Sequence, residues 1–246
     1  ADTIQHKNAD EPFSNYAILI RAGSLSRMFE EEFNTRAIPY RLVGATKFYD
    51  RAEIRDAIAY LRLLVYPFDD ISFVRIIGKP RRGFGPSAIA KLRASGKNLM
   101  DGLRVASLSG KQRAAADAFL SAFDFDWMSV PPMDAAQKLL DNVGYIQMWR
   151  ESRDVDASDR LDNIRELVTN VIGKYDTLPE FLEHAALMMT DDNDSDDAAP
   201  ASDAVSIMTI HAAKGLEFDT VFLPAWEEGI FPNDMAVQSG GLEEER

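Results

Sequence analysis

Cysteine is absent from this 246-residue chain. That excludes disulfides, thiolate metal sites and cysteine nucleophiles, and it is compatible with a cytoplasmic setting. Histidine is scarce: His6, His184 and His211 are widely spaced and show no metal-ligand pattern, so no metal site is expected. No apolar run is long enough to span a bilayer and no signal-peptide pattern opens the chain, so no membrane partner is expected. Cations are outnumbered, with 27 Lys and Arg against 40 Asp and Glu and a net charge of −13. A uniformly acidic surface repels nucleic acid, so binding of that kind needs a local basic patch. A phosphate-binding loop is missing as well. No G-x-x-x-x-G-K-[ST] occurs, and the Gly-Lys pairs at Gly78, Gly96, Gly110 and Gly173 are followed by Pro, Asn, Gln or Tyr. The chain opens Ala1-Asp2-Thr3 and closes on GLEEER, which reads as a helix just begun. It reads as a fragment cut from something longer.

The charge that is present is uneven. Residues 71–100 hold seven Lys or Arg and no acid, whereas DDNDSDD at 191–197 holds five Asp. The second stretch reads as an acidic linker covering about 190–204. Strand texture lies on both sides of a long helical block. YAILIR at 16–21 and YRLVG at 40–44 read as strands, with a helix over 24–36 that puts Leu25, Met28, Phe29 and Phe33 on one face. Helical patterns then follow from Asp50 to about 190. The first has a start capped by Asp50 and Glu53 and a stripe of Ile54, Ile58, Leu61 and Val65. Further helices are predicted over 69–77, 86–94, 111–126, 133–141 and 158–173, and another after a Thr177–Glu180 capping box. EIRD at 53–56 reads as a solvated, salt-bridged helix face, and Phe119, Phe123, Phe125 and Trp127 as packing. VSIMTI and TVFLP after the linker are continuous apolar runs, the signature of strands covered on both faces. The fold class read here is α/β with a large all-α insertion: a parallel sheet whose strands come from both ends of the chain.

The chemistry is concentrated just past VSIMTI, where an open α/β sheet holds its ligands. Thr209 and His211 can hydrogen-bond a sugar–phosphate backbone and Lys214 is a point charge suited to phosphate. Gly215 allows a positive φ, and Glu217 is an acceptor suited to ribose hydroxyls. The same residues also suit an ordinary helix C-cap with a structural histidine. A second candidate is KPRRGFGP at 79–86. Gly83 and Gly85 leave backbone amides uncovered, Pro86 suits the first turn of a helix capped by Gly85, and Lys79, Arg81 and Arg82 add charge. An ordinary Gly-Pro turn with a solvated basic flank fits this pattern too.

TIHAAKGLEF, followed by VFLPAWEEGIFP and LEEER, resembles motif V and the run toward motif VI of the superfamily 1 DNA helicases of the UvrD/PcrA/Rep type. YAILIRAGSLSRMFEEEF resembles their motif IVa, and IPYRLVGATKFYDRAEIRDAIAYLRLL and KPRRGFG resemble the segments that follow it. The resemblance extends over most of the chain. It implies a partial second RecA-like motor domain (2A) from residues 1–45 and 205–246, and an inserted helical arm (2B) from 46–204. It implies that Thr209, His211 and Lys214, with Arg21 and Arg27 of motif IVa, lie along single-stranded DNA. It implies that Glu217 holds the nucleotide ribose while Gly215 shapes the turn, and that Lys79, Arg81, Arg82, Gly83 and Gly85 form a helix-hairpin-helix grip on duplex phosphates.

Motif IVa departs from the family pattern: Ile20 stands before Arg21 where Tyr is usual, and Gly23 where Asn is usual, so one side-chain contact to DNA is lost or replaced. By the same resemblance the parent is an ATP-dependent 3′-to-5′ DNA helicase of repair, acting on nucleoid DNA with ATP and Mg²⁺. The missing first motor domain would supply the Walker lysine, the Mg²⁺ carboxylates and the catalytic base. This chain stops before the motif VI arginine, holds no catalytic residue of its own and is not expected to bind or hydrolyse ATP alone. DNA, that first motor domain and repair proteins are the partners implied. Two rivals stay open: a helicase–nuclease subunit of recombination, and a non-catalytic helical interaction module.

Overall fold

Apolar runs from the two ends of the chain pair in one sheet. In a computed structural model, in which residues 1–7, 11–21, 23–190 and 203–224 are described, the chain opens with helix α1 (Asp2–Lys7), strand β1 (Tyr16–Ile20), helix α2 (Ser26–Thr35) and strand β2 (Tyr40–Leu42). Strands β3 (Val205–Thr209) and β4 (Thr220–Phe222) come much later. The sheet order is β2-β3-β1-β4 and every pairing is parallel. Val205 to Met208 are all buried, which is why β3 is mostly apolar without alternation, Ser206 being its one fully buried polar residue. Ile18, Ile20, Phe33, Ile38, Val205 and Ile207 form the core around it. The acidic stretch 191–197 and the segment from 225 onward, with its WEEGIFP and LEEER runs, lie outside the described residues.

The chain divides into two compact units, Ala1–Phe48 with Asp192–Arg246 and Tyr49–Asp191. The described part of the second is helical: α3 (Ala52–Val65), α4 (Asp70–Ile76), α5 (Pro86–Ser95), α6 (Leu99–Val105), α7 (Gly110–Ala122), α8 (Pro132–Asn142), α9 (Tyr145–Arg150), α10 (Ala157–Glu166) and α11 (Leu178–Thr190). Helix α3 is its spine, with Ile54, Ala57, Ile58, Tyr60, Leu61, Leu63 and Leu64 all buried. No helix among the described residues is long and apolar enough to cross a membrane.

Several expectations need correction. Asp50 does not cap α3; Arg51 holds the N-cap position without a side-chain cap, and Asp50 pairs with Arg55 instead. The EIRD stretch is not a solvated face, because Glu53 and Asp56 are 4% and 2% exposed. Their charges are met from elsewhere in the unit, by Asn163 and Arg160 of α10 at Glu53, and by Arg75 of α4 and Lys79 of the loop after it at Asp56. In α2, Met28 is 52% exposed while Ser26, Arg27 and Glu30 are buried, so the helix presents a polar pair inward: Ser26 Oγ donates to Glu30 Oε1 at 2.6 Å.

The helix predicted over 158–173 is α10 followed by a π-turn at Leu167–Val171. Its buried residues Ile164, Val168 and Ile172, with Leu167 and Val171, recur every four positions. A wider turn keeps that spacing on one face. Helix α7 stops at Ala122, four residues early, as the amides of Phe125 and Trp127 bond to carbonyls two residues back. Thr177 caps α11 through Glu180 N–H (3.3 Å), but the Glu180 carboxylate accepts from Asp176 N–H rather than closing on Thr177.

Candidate nucleic-acid interface

Because all four strands are parallel, their carboxyl ends share one edge of the sheet. Ile20 ends β1, Thr209 ends β3, and the two are register partners. The Ile210 amide donates to the Ile20 carbonyl at 3.1 Å, so pairing continues one step past the strands. Arg21, half-buried, therefore leaves β1 beside the turn that leaves β3. Residues from opposite ends of the sequence meet there.

The turn after β3 is made by its own polar groups. Ala212 N–H donates to Thr209 Oγ1 at 3.3 Å and Ala213 N–H to the Thr209 carbonyl at 3.2 Å. The Lys214 amide bonds to the His211 carbonyl (3.4 Å) and Leu216 to that of Ala213 (3.0 Å). Thr209 acts as acceptor inside the turn, and its hydroxyl can still donate. Gly215 has φ +85°, the left-handed region that an L side chain enters only with strain. His211, Lys214 and Glu217 are exposed. With Thr209, His211 and Lys214 put one hydroxyl, one imidazole and one cation on a short turn, which suits a phosphate backbone, and Glu217 follows with a carboxylate.

Glu217 also lines an open cleft of about 670 Å³ with Ser14, Arg41, Gly44, Ser206 and Leu216. Arg41 Nε donates to Ser206 Oγ at 3.0 Å. A carboxylate, a guanidinium and a serine hydroxyl on apolar walls can hydrogen-bond a sugar. Sequence reasoning missed Arg41 and Ser206. A signal was available: Arg41 is the one charged residue in β2 and Ser206 is a polar residue inside the apolar run of β3, and the two are register partners.

Arg27 is not among the exposed cations. It is 1% exposed and its guanidinium pairs with Glu31 at 2.6 Å. The expectation that it lies along DNA therefore falls on a buried side chain.

In the helical unit, the Gly-Phe-Gly element has a simple logic. Phe84 is 6% exposed and anchors the loop, while Gly83 and Gly85 stay exposed on either side. Gly83 takes φ +77°. Gly85, extended, is the N-cap of α5 with Pro86 at its first position, so the bare amides of that helix start carry no side chain over them. Lys91 and Arg93 on α5 are exposed, as is Lys97 after it. Of the three basic residues before the loop, Arg81 is exposed and Lys79 and Arg82 are half-buried, the Lys79 side chain keeping 43% of its surface. Arg82 is turned inward: its guanidinium donates to the carbonyls of Val143 (2.6 Å), Ile76 (3.2 Å) and Pro80 (3.2 Å) and lies 4.9 Å from the centre of the Phe119 ring. Lys79 Nζ is 2.7 Å from the buried Asp56 carboxylate. Of the three cations expected at phosphate, Arg82 is thus engaged by backbone carbonyls, Lys79 is paired with Asp56, and Arg81 is exposed.

The model of the UvrD-like helicase C-terminal domain matches residues 1–124 and 132–246. A probable DNA helicase II homolog of Rickettsia conorii is 36% identical to this chain over 246 residues, which is 94% of this chain and 37% of that protein. The ATP-dependent DNA helicase PcrA of Bacillus subtilis is 35% identical over 261 residues, 98% of this chain and 35% of its own length. DNA helicase II of Escherichia coli is 33% identical over 250 residues, 94% and 34% respectively. The chain spans about a third of the length of the curated relatives it matches. With nearly its whole length matched, this chain belongs to the UvrD-like helicase C-terminal domain family.

Proposed function

We propose that this chain is the C-terminal-half portion of an ATP-dependent 3′-to-5′ DNA helicase that unwinds duplex DNA in repair. Residues 1–45 and 205–246 are part of its second RecA-like motor domain, and 46–204 are the arm inserted into it. Arg21, Thr209, His211 and Lys214 track the single strand. Glu217, with Gly215 shaping the turn and Arg41 across the same cleft, meets the nucleotide ribose. Arg81 and the amides at Gly83 and Gly85 hold duplex phosphates. The first motor domain supplies the Walker lysine, the Mg²⁺ carboxylates and the catalytic base, so phosphoryl transfer itself lies outside this chain. In the parent, ATP binding closes the two motor domains, the contacts of the 209–214 turn shift along the strand, and each cycle advances one step. Repair proteins are further partners.

The observation that carries this reading is the register of Ile20 with Thr209. It brings the residues after β1 and β3 to one sheet edge, the place where open α/β sheets bind ligands. The test uses the chain as it is. It should bind a forked duplex with no ATPase activity of its own, and its affinity should fall roughly tenfold to a hundredfold between ~50 and ~200 mM salt, as a few phosphate contacts require. Fork affinity that does not move with salt would instead favour the non-catalytic interaction module.

A further inference from the structure

Asp56 sits on the buried side of the spine helix, 2% exposed, and its two oxygens are divided between two elements. Oδ1 is 2.6 Å from Arg75 Nε, on α4. Oδ2 is 2.7 Å from Lys79 Nζ, at the start of the loop that leads into α5, and accepts from the Tyr145 hydroxyl at 3.4 Å. The Tyr60 hydroxyl, one turn further along α3, bonds to the Lys79 carbonyl and accepts from Arg82 at 3.1 Å. Burial pushes the Tyr60 phenol up to about 12 and raises that of Tyr145 further, so both remain protonated donors. Arg82 closes the other side of the loop onto four carbonyls, those of Ile76, Ile77, Pro80 and Val143. What this frame leaves exposed is Arg81, Gly83 and Gly85.

We infer that Asp56 is a positioning residue for duplex binding: with Lys79 and Arg82 it clamps the loop 79–85 so that Arg81 and the glycine amides face the phosphates. Lys79 and Arg82 then serve the loop's shape and make no phosphate contact. The inference rests on the duplex-grip reading above and goes beyond it by dividing one basic cluster into a contact and two clamps.

The sign of one substitution separates this from simple electrostatics. Asp56→Asn removes a negative charge next to two cations in an already acidic chain. If charge alone mattered, duplex affinity would rise. If Asp56 sets the loop, duplex affinity falls about tenfold although the chain has become less negative, while affinity for single-stranded DNA is unchanged. Unchanged or tighter duplex binding by Asp56→Asn overturns the inference.

A second pair of variants does not depend on that one folding. Lys79→Gln keeps a donor for Asp56 and loses the charge; Arg81→Gln loses the exposed charge. For Arg81→Gln the plot of log affinity against log salt should flatten by about 0.9, one phosphate's worth, whereas for Lys79→Gln the slope should hold. A slope that flattens equally in Lys79→Gln makes Lys79 a phosphate contact and overturns the clamp. If Arg81→Gln changes nothing on duplex DNA, the grip reading itself has failed and the clamp falls with it. A loss with Arg81→Gln but none with Asp56→Asn removes the clamp alone.

Discussion

Gly102→Ala should destabilise the helical unit by about 3 kcal/mol, at the upper end of what overpacking costs. Helix propensity alone predicts the opposite, because Ala inside a helix is favoured over Gly by about 1 kcal/mol. The difference lies in the packing of α5 against α6. A Cβ at Gly102 would stand 2.2 Å from the Leu92 carbonyl oxygen and 2.7 Å from its carbon, and one at Gly96 would stand 2.2 Å from the Gly102 nitrogen. These are backbone atoms, which cannot swing aside as a side-chain tip can. The two helices must separate, and Leu92, Leu99 and Leu103, all fully buried, lose packing with them. Gly110→Ala is the control. Gly110 begins α7, has no atom within 4 Å of an added Cβ, and should be neutral or slightly stabilising. Denaturation followed by the helical signal compares the two. Equal midpoints for both variants would mean that α5 and α6 do not approach this closely. Because α5 begins at the Gly85 cap, Gly102→Ala should also weaken duplex binding.

The second large effect is expected at the sheet edge. Lys214→Ala should lower single-strand affinity about tenfold at low salt, a change of roughly 1.4 kcal/mol, and flatten its salt dependence by about 0.7, the share of one phosphate on a single strand. Stability should barely change, because Lys214 is exposed and the bond it makes in the turn uses its backbone amide. Duplex binding through the helical unit should be unaffected. A Lys214→Ala chain that binds single strands with an unchanged slope would assign the lysine to the turn's surface and not to DNA.

How much of this was legible beforehand depends on whether the information is local. The strand β3 is plain in VSIMT because a strand covered on both faces reads as a mostly apolar run without alternation. The Gly85-Pro86 helix start is equally plain, since each residue acts through its own backbone. The buried acids are different. Glu53 and Asp56 are three apart on one helix, the spacing of a solvated charged face, and only partners at Arg75, Lys79, Arg160 and Asn163 make their burial tolerable. No local pattern reports partners that distant.

The inward placement of Arg27 and Arg82 is illegible for the same reason. A basic residue next to a motif looks available until its acceptors are known, and for Arg82 they are carbonyls as far off as Val143. Helix α6 escaped notice because seven residues containing a glycine carry little periodicity; it is held by the Asn98 side chain, which accepts from Asp101 N–H at 2.9 Å, and by contact with α5. The cleft between Arg41 and Glu217 depended on a strand register that joins residues from the two ends of the chain.

The most direct test of the central claim is photo-crosslinking of this chain to a single-stranded oligonucleotide carrying photoreactive thymines, followed by peptide mapping. If the segments after β1 and β3 form one DNA-tracking edge, crosslinks should appear both around Arg21 and within 209–214, and unlabelled single strand should remove both sets together. Crosslinks confined to the helical unit, or sets at the two segments that compete away independently, would contradict it.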